Sequence, residues 1–418
     1  MNLNVVFNIT LGITLILMPT KVGAFFNSER TGGMSEIYIA DSSVKVAGGF
    51  IDRYSGNSIS VRAKGLEISL NIDNSSSDEG KTFDFTVNNI NAEITEIVGW
   101  AGDDLVKEGN SLKFEVNVEA RKVRALKLAP KLADDNFKFI VFGESKGGRH
   151  VFKRVLGDIN YRKPLFAISC GDMLEDSSKK EYDRFLKDIG EVNVPFLTVA
   201  GRSELQDGGM LEYEDALGAS YYSFDFKNSH FVVLSNGEGR ISEEQFLWLE
   251  NDLMLNKALN TFVFMHLPAF DPRPARKQPM LFGGQHLRLI KTFEKYNVSM
   301  VFSAGIASYF RDARAGTTYI VTGGGGSELA SADAFHNYII VEVSADKVKD
   351  NVVKLVSPPL SWSAAISLKA RLYFKNSFQT HPVRTSIYTI LLSLILLLIF
   401  RAIYIKLFRG ERKRKLSL

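Results

Sequence analysis

The sequence predicts a two-part body on a single membrane span: an all-β sandwich, then an α/β layered domain, then one transmembrane helix. Three observations predict it. Between Ile37 and Leu126 short stretches alternate apolar and polar residues, with no long 3.6-residue pattern among them. From Lys138 onward fully apolar runs alternate with helical stretches. From Thr385 to Phe400 the chain holds no charge. A period of two marks half-buried strands, and apolar strands interleaved with helices mark a sheet covered on its faces. An uncharged run approaching about 20 residues matches the thickness of a bilayer.

Each segment follows in chain order. Val5 to Met18 is mostly apolar, too short for a comfortable span and suited to a secretory leader, and Val22-Gly23-Ala24 offers small residues for cleavage. Residues 1–24 are therefore read as a signal peptide. The leading MNLN has no basic side chain; left uncleaved, the segment would anchor the chain with the same topology. Residues 25–130 form the β-sandwich, on alternating stretches such as Ile59–Ala63, Leu66–Ile72, Phe83–Val87 and Leu112–Val118. Asn74-Ser75-Ser76 within it is a glycosylation sequon. Residues 136–356 form the α/β domain. Its strands are Lys138–Phe142, Phe166–Cys170, Pro195–Ala200, Phe231–Ser235, Phe262–His266, Met300–Ser303 and Tyr319–Thr322, with helices at Ser242–Met254 and Gln285–Tyr296. Residues 357–384 are a juxtamembrane linker whose Trp362, Tyr373 and Phe374 suit a membrane interface. Residues 385–405 form the transmembrane helix, with Arg401 near enough to one end to snorkel, and 406–418 form a basic tail.

Charge supports that topology. The 418 residues include 51 Lys+Arg and 47 Asp+Glu, a net +4. Seven basic residues and one acid from Arg401 to Leu418 give that end +6, so +4 less +6 leaves the remaining 400 residues at −2. A basic cluster directly after a span is a cytoplasmic flank, so the body lies on the other side: extracellular, periplasmic or lumenal. A body of −2 without basic–aromatic patterning gives no support to nucleic-acid binding. With 45% hydrophobic and 23% charged residues the chain is globular rather than disordered. Cys170 is the only cysteine, which excludes an intrachain disulfide and a thiolate zinc site.

In layered α/β domains function sits in the loops after strand ends. Here those loops are Gly143-Glu-Ser-Lys-Gly, Gly171-Asp-Met, Gly201-Arg-Ser-Glu, Met265-His-Leu-Pro and Ser303-Ala-Gly-Ile-Ala-Ser. Their order resembles the calcineurin-like metallophosphoesterase superfamily, its purple-acid-phosphatase-like branch included, whose pattern is GDxH, GDxx, GNHE, a lone His after a strand, and GHxH. Tyr221–Phe226, Gln245–Leu253 and the loop beginning Thr322-Gly-Gly-Gly-Gly fall where that family has similar segments. The resemblance covers about Phe137 to Val356 and implies a four-layer α-β-β-α sandwich. It also implies phosphoester hydrolysis at two metal ions, which lower the pKa of a bridging water and clamp the phosphoryl oxygens.

Carried over position by position, the motif departs from that chemistry. Glu144 stands for the first Asp, Asp172 for the bridging Asp, and His266 for the lone His. Lys146 replaces a His and Arg202 the Asn, so two cations stand where ligands need lone pairs. Ser203 replaces the leaving-group His, and Ile306 and Ser308 replace both histidines of GHxH. The family's iron-binding Tyr falls near Glu175, so no iron–phenolate chromophore is expected. The expectation is a catalytically impaired pseudo-phosphoesterase with a binding or scaffolding role. No cofactor is expected to be tightly bound, and Lys146 and Arg202 would pair with Glu144 and Asp172 in a crevice receptive to a phosphorylated or anionic ligand. The alternative is a residual hydrolase with one divalent ion on Glu144, Asp172 and His266, to which His150 or His286 would contribute only after loop rearrangement.

Two other motifs compete. Gly143-Glu-Ser145-Lys-Gly147 matches G-x-S-x-G, with Asp172 and His266 following in serine-hydrolase order. That elbow needs an oxyanion hole from an upstream βα loop, and this one follows the domain's first strand. The Thr322-Gly-Gly-Gly-Gly-Ser run lacks the Gly-Lys-Ser/Thr of a phosphate loop and reads as a flexible strand-end turn.

Overall fold

The computed structural model describes residues 34–273, 281–331, 333–345, 347–355, 377 and 382–415. The expected leader, residues 1–24, and the aromatic residues Trp362, Tyr373 and Phe374 of the expected linker lie outside them. The described body falls into two compact units, divided between Lys131 and Leu132.

The first unit is a sandwich of two five-stranded sheets. One has the order β1 (Glu36–Ile39), β2 (Ser42–Ala47), β5 (Ile68–Asp73), β10 (Val123–Pro130), β7 (Thr95–Val98). The other runs β3 (Gly49–Ser55), β4 (Ser58–Ala63), β6 (Lys81–Asn88), β9 (Ser111–Val118), β8 (Val106–Glu108). Strict alternation drives it. In β9, Leu112, Phe114, Val116 and Val118 are buried while Lys113, Glu115 and Asn117 face solvent. They pack with Val44, Leu70 and Leu126 of the opposite sheet in one core. The sequon asparagine is part of this interior. Asn74 is fully buried, its Nδ2 donates to the carbonyls of Glu79 at 2.9 Å and Glu119 at 3.0 Å, and its Oδ1 accepts from the Ser42 hydroxyl at 2.6 Å.

The second unit has four layers. Its first sheet has the order β13 (Phe196–Thr198), β12 (Phe166–Ser169), β11 (Phe137–Phe142), β20 (Asn337–Ser344), β21 (Lys347–Lys354). The second runs β14 (Tyr222–Phe226), β15 (Ser229–Val233), β16 (Asn260–Phe264), β17 (Met300–Ser303), β19 (Thr317–Thr322), β18 (Tyr309–Arg314). Parallel pairs β11–β12–β13 and β15–β16–β17–β19 form the two centres. Every residue of β12, β15 and β16 is buried, which explains their apolar stretches Phe166–Ile168, Phe231–Val233 and Phe262–Phe264. Period two still sorts the faces. Phe139 and Phe166 point between the sheets against Phe231 and Phe262, with ring centroids 5.0–5.7 Å apart. Ile140 and Phe142 point outward to Phe152, Val155 and Phe185 of α1 (Arg149–Arg162) and α2 (Lys179–Ile189). On the other side Val232, Val263 and Val301 meet Phe246, Leu249 and Phe293. These three belong to α5 (Glu243–Leu255) and α6 (Gln285–Lys295). Two short helices, α3 (Arg202–Leu205) and α4 (Met210–Leu217), follow β13.

A last helix, α7, runs from Pro382 to Lys415. Its Pro382–Arg401 stretch of 20 residues is long and apolar enough to cross a membrane.

Candidate functional site

The carboxyl ends of the central strands bring the singled-out loops together. β11 runs into Gly143-Glu144 and β12 into Gly171-Asp172, and both acidic residues have left-handed backbones, with φ of 57° and 55°. That conformation costs a non-glycine residue roughly 1–2 kcal/mol, and neighbouring backbone groups offset it. Glu144 N–H donates to the Gly171 carbonyl at 3.0 Å, its own carbonyl accepts from Ser327 at 2.7 Å, and the Asp172 carbonyl accepts from Ser145 and Lys146, each at 3.0 Å. Gly171, with φ of 87°, has to be glycine: a Cβ there would lie 2.7 Å from Gly201 and 2.9 Å from His266 Nδ1. The folded loops thus aim two carboxylates into one crevice whatever the crevice then does.

The 323–326 glycines correct an expectation. This run is no flexible turn; it is buried and wedged between two site loops. Gly325 N–H donates to the Gly143 carbonyl at 2.8 Å, and Cβ atoms at 323 and 326 would lie 2.0 Å from the Ile306 carbonyl and 2.8 Å from that of Gly148. The run is glycine because backbone packs on backbone.

Glu144, Asp172 and His266 are all buried, and each offers a ligand atom within 4.8 Å of the others. His266 Nδ1 donates to the Cys170 carbonyl at 2.9 Å, which leaves the Nε2 lone pair facing Asp172 Oδ1 at 3.5 Å. Burial lowers the His266 pKa against the pull of Asp172, so the ring is neutral. The Lys146 ammonium bonds directly to Asp172 Oδ2. Burial opposes ionisation of Asp172, but the attraction of His266 in its charged form, the bonded Lys146 ammonium and the Ser203 N–H at 3.0 Å hold its carboxyl down to about 2. Burial and the charge of Asp172 push Glu144 the other way, up to about 8, against the attraction of Lys146. At neutral pH the crevice therefore holds one carboxylate neutralised by an ammonium, and one carboxylic acid.

The other sequence candidates scatter. Arg202 begins α3 but is exposed and makes no ion pair among the described residues, so the expected Lys/Arg network reduces to Lys146. Ser203 and Ser145 are buried with hydroxyls that find no partner among the described residues. An unpartnered Ser145 Oγ and a His266 directed at Asp172 leave no Ser–His pair, so the nucleophile-elbow reading fails. Ile306 is 3% exposed and contributes only an apolar side chain, while Ser308 is buried beside it. His150 and Glu175 are exposed, and neither His150 nor His286 joins the metal-capable group.

Two organising residues escape the sequence reading. Glu204, wholly buried, accepts the N–H groups of Asp172, Met173, Leu174 and Gly201 at 2.8–3.0 Å and so sets the Asp172 loop. Burial and Asp172 push its carboxyl up to about 7 against those donors. Its signal was the Glu at the third position of a short helix, a capping pattern. Asn236 accepts the N–H groups of His266 and Leu267 at 2.9 and 3.0 Å and holds the His266 turn.

No protein-family model matches the chain. A 122-residue stretch is 24% identical to a probable glycerophosphodiester phosphodiesterase, GpdQ, of Arcobacter nitrofigilis, covering 25% of this chain and 42% of that protein. The second unit has a calcineurin-like metallophosphoesterase fold. The match spans less than half the length of that curated relative. Among solved structures, the purple acid phosphatase PPD1 of yellow lupin (Lupinus luteus) seeds aligns with a TM-score of 0.48 at 11% identity, over 77% of this chain and 78% of its own. GAP50, the anchor in the inner membrane complex of Plasmodium, aligns with a TM-score of 0.41 at 14% identity, over 57% of this chain and 95% of its own.

A binuclear centre does not fit the donors that this calcineurin-like unit presents. The ammonium of Lys146 has no lone pair and already occupies Asp172 Oδ2. Arg202 is exposed, and Ile306 supplies no donor. One ion on Glu144, Asp172 and His266 is compatible with the atoms, in competition with Lys146 for Asp172.

Proposed function

We propose that the chain is a membrane-anchored pseudo-phosphoesterase, in which Lys146 stands in for metal charge and the retained fold serves a binding or scaffolding role. The ammonium–carboxylate bond between Lys146 and Asp172 carries this reading: it supplies positive charge to the crevice without an open coordination position. Stability of the crevice then no longer depends on metal, and hydrolysis of phosphoesters is impaired. The crevice retains a polar opening suited to a phosphorylated or otherwise anionic ligand beside Lys146. Domain limits at 25–130, 136–356 and 385–405 are part of the proposal. So is the topology, with the body extracytoplasmic and the basic tail, residues 406–418, cytoplasmic, supported by the apolar Pro382–Arg401 stretch and the basic residues that follow. The test is hydrolysis of generic phosphomono- and diesters by the full chain with added Mn²⁺. No turnover above background is expected.

A second reading rests on the proximity of Glu144, Asp172 and His266 and the free Nε2 lone pair. One weakly held divalent ion at that group would give a residual hydrolase. Metal-dependent turnover that disappears in Asp172→Asn and in His266→Ala would establish it in place of the first.

A further inference from the structure

Three Asn-x-Ser/Thr sequons occur in the chain, at Asn8, Asn74 and Asn297. Asn8 lies in the apolar leader, outside the described residues. Asn74 is closed: it is fully buried in the sandwich with three hydrogen bonds on its amide. A glycan on its Nδ2 would take the donor that holds two backbone carbonyls and would have no room inside the core.

Asn297 is the opposite case. It follows α6, where the helix ends in a left-handed turn with φ of 53°. Asn297 N–H donates to the Glu294 carbonyl at 3.2 Å and Val298 N–H to that of Phe293 at 2.9 Å, a helix-terminating arrangement. Val298 is 1% exposed and pins the turn to the core, while Asn297 is exposed and its side-chain amide makes no hydrogen bond among the described residues. Ser299, the third sequon residue, is half-buried, its Oγ accepting the Thr261 N–H at 3.1 Å. A left-handed turn accounts for an asparagine, since Asn tolerates that backbone, and the bond to the Thr261 N–H accounts for Ser299; what singles Asn297 out is that it is the one sequon asparagine among the described residues whose amide is exposed and makes no hydrogen bond there.

We infer that Asn297 is the acceptor at which this chain carries an N-linked glycan. The inference rests on the extracytoplasmic reading of the body and needs a readout that separates the two. The full chain is translated with endoplasmic-reticulum microsomes, and an endoglycosidase-sensitive mass shift is read on the trypsin-resistant fraction. One glycan is expected on the unaltered chain and none on Asn297→Gly, which preserves the left-handed turn. Ala315→Asn creates a sequon ahead of Gly316-Thr317 on the exposed β18–β19 turn, where φ is already 48°. It reports the side of the membrane independently, and two glycans are expected on it. A single glycan on Ala315→Asn, with none on the unaltered chain, overturns Asn297 and leaves the export reading standing. No glycan on either chain overturns both. A glycan that survives Asn297→Gly sits elsewhere and overturns the assignment.

Discussion

Two buried histidines of the calcineurin-like unit sit beside carboxylates and end in opposite states. His230 on β15 lies on the outer face of its sheet, between Asp225 of β14 at 2.6 Å on Nδ1 and Asp252 of α5 at 2.8 Å on Nε2. Burial lowers its pKa, but the two carboxylates outweigh that and raise it overall. His266 spends Nδ1 on a backbone carbonyl, turns an unprotonated Nε2 toward Asp172 and has a lowered pKa. What differs is the supply of positive charge. At His230 the imidazolium is the cation between the acids; at His266 that position is already taken by Lys146. One cluster is a structural clamp, the other a neutralised crevice with a spare lone pair.

Removing Glu204 should break the comparison most, because it dismantles the crevice side alone. Glu204→Ala leaves four buried N–H groups without their acceptor, and each unsatisfied donor costs roughly 1–3 kcal/mol. A loss of about 3 kcal/mol or more is expected in urea unfolding, with the His230 resonances unchanged until the unit melts.

Lys146→Met removes the cation and leaves Asp172 facing Glu144. The expected loss at neutral pH is about 1–2 kcal/mol, modest because a third of the Lys146 side chain is in solvent. If stability is unchanged, Lys146 is not what balances the crevice.

The pH profiles should then run in the same direction for different reasons. His230 has a raised folded pKa, so its stabilisation is complete below about 6.5 and fades as pH rises through the folded value. His230→Gln should cost about 1–2 kcal/mol near pH 5.5 and progressively less as pH rises above about 6.5. Glu144 binds its proton more tightly folded than unfolded, so stability falls between about 4.5 and about 8. Glu144→Gln should therefore stabilise by at least about 1 kcal/mol near pH 8.5 and be close to neutral near pH 4. Thermal unfolding at those pH values reads both. An equal effect of either substitution at all pH values would contradict the charge states assigned here.

These contrasts also mark what was legible in the sequence. The layers are readable because β9 alternates strictly while Phe231–Val233 of β15 and Phe262–Phe264 of β16 are continuous apolar stretches, patterns that burial on one or two faces imposes. Glu144, Asp172 and His266 were readable because a strand end followed by a loop repeats in fixed order along the chain. Pairing is not: Lys146 bonds Asp172 in the crevice while Arg202, at the start of α3, stays exposed without an ion pair among the described residues, and nothing in the residue types distinguishes them. Glu204 is not legible as a site residue because it acts on backbone N–H groups, which the sequence does not locate. The His230 clamp was invisible because its partners come from two other elements. The glycines after Thr322 looked mobile because a sequence cannot show backbone packed against backbone.

The central claim is that Lys146 replaces metal charge beside Asp172. Elemental analysis of the purified full chain tests it most directly, alongside Lys146→His. The account predicts no tightly held transition metal in the unaltered chain, and metal uptake on Glu144, Asp172 and His266 only once the ammonium is gone. Two equivalents of metal retained by the unaltered chain through dialysis would contradict it.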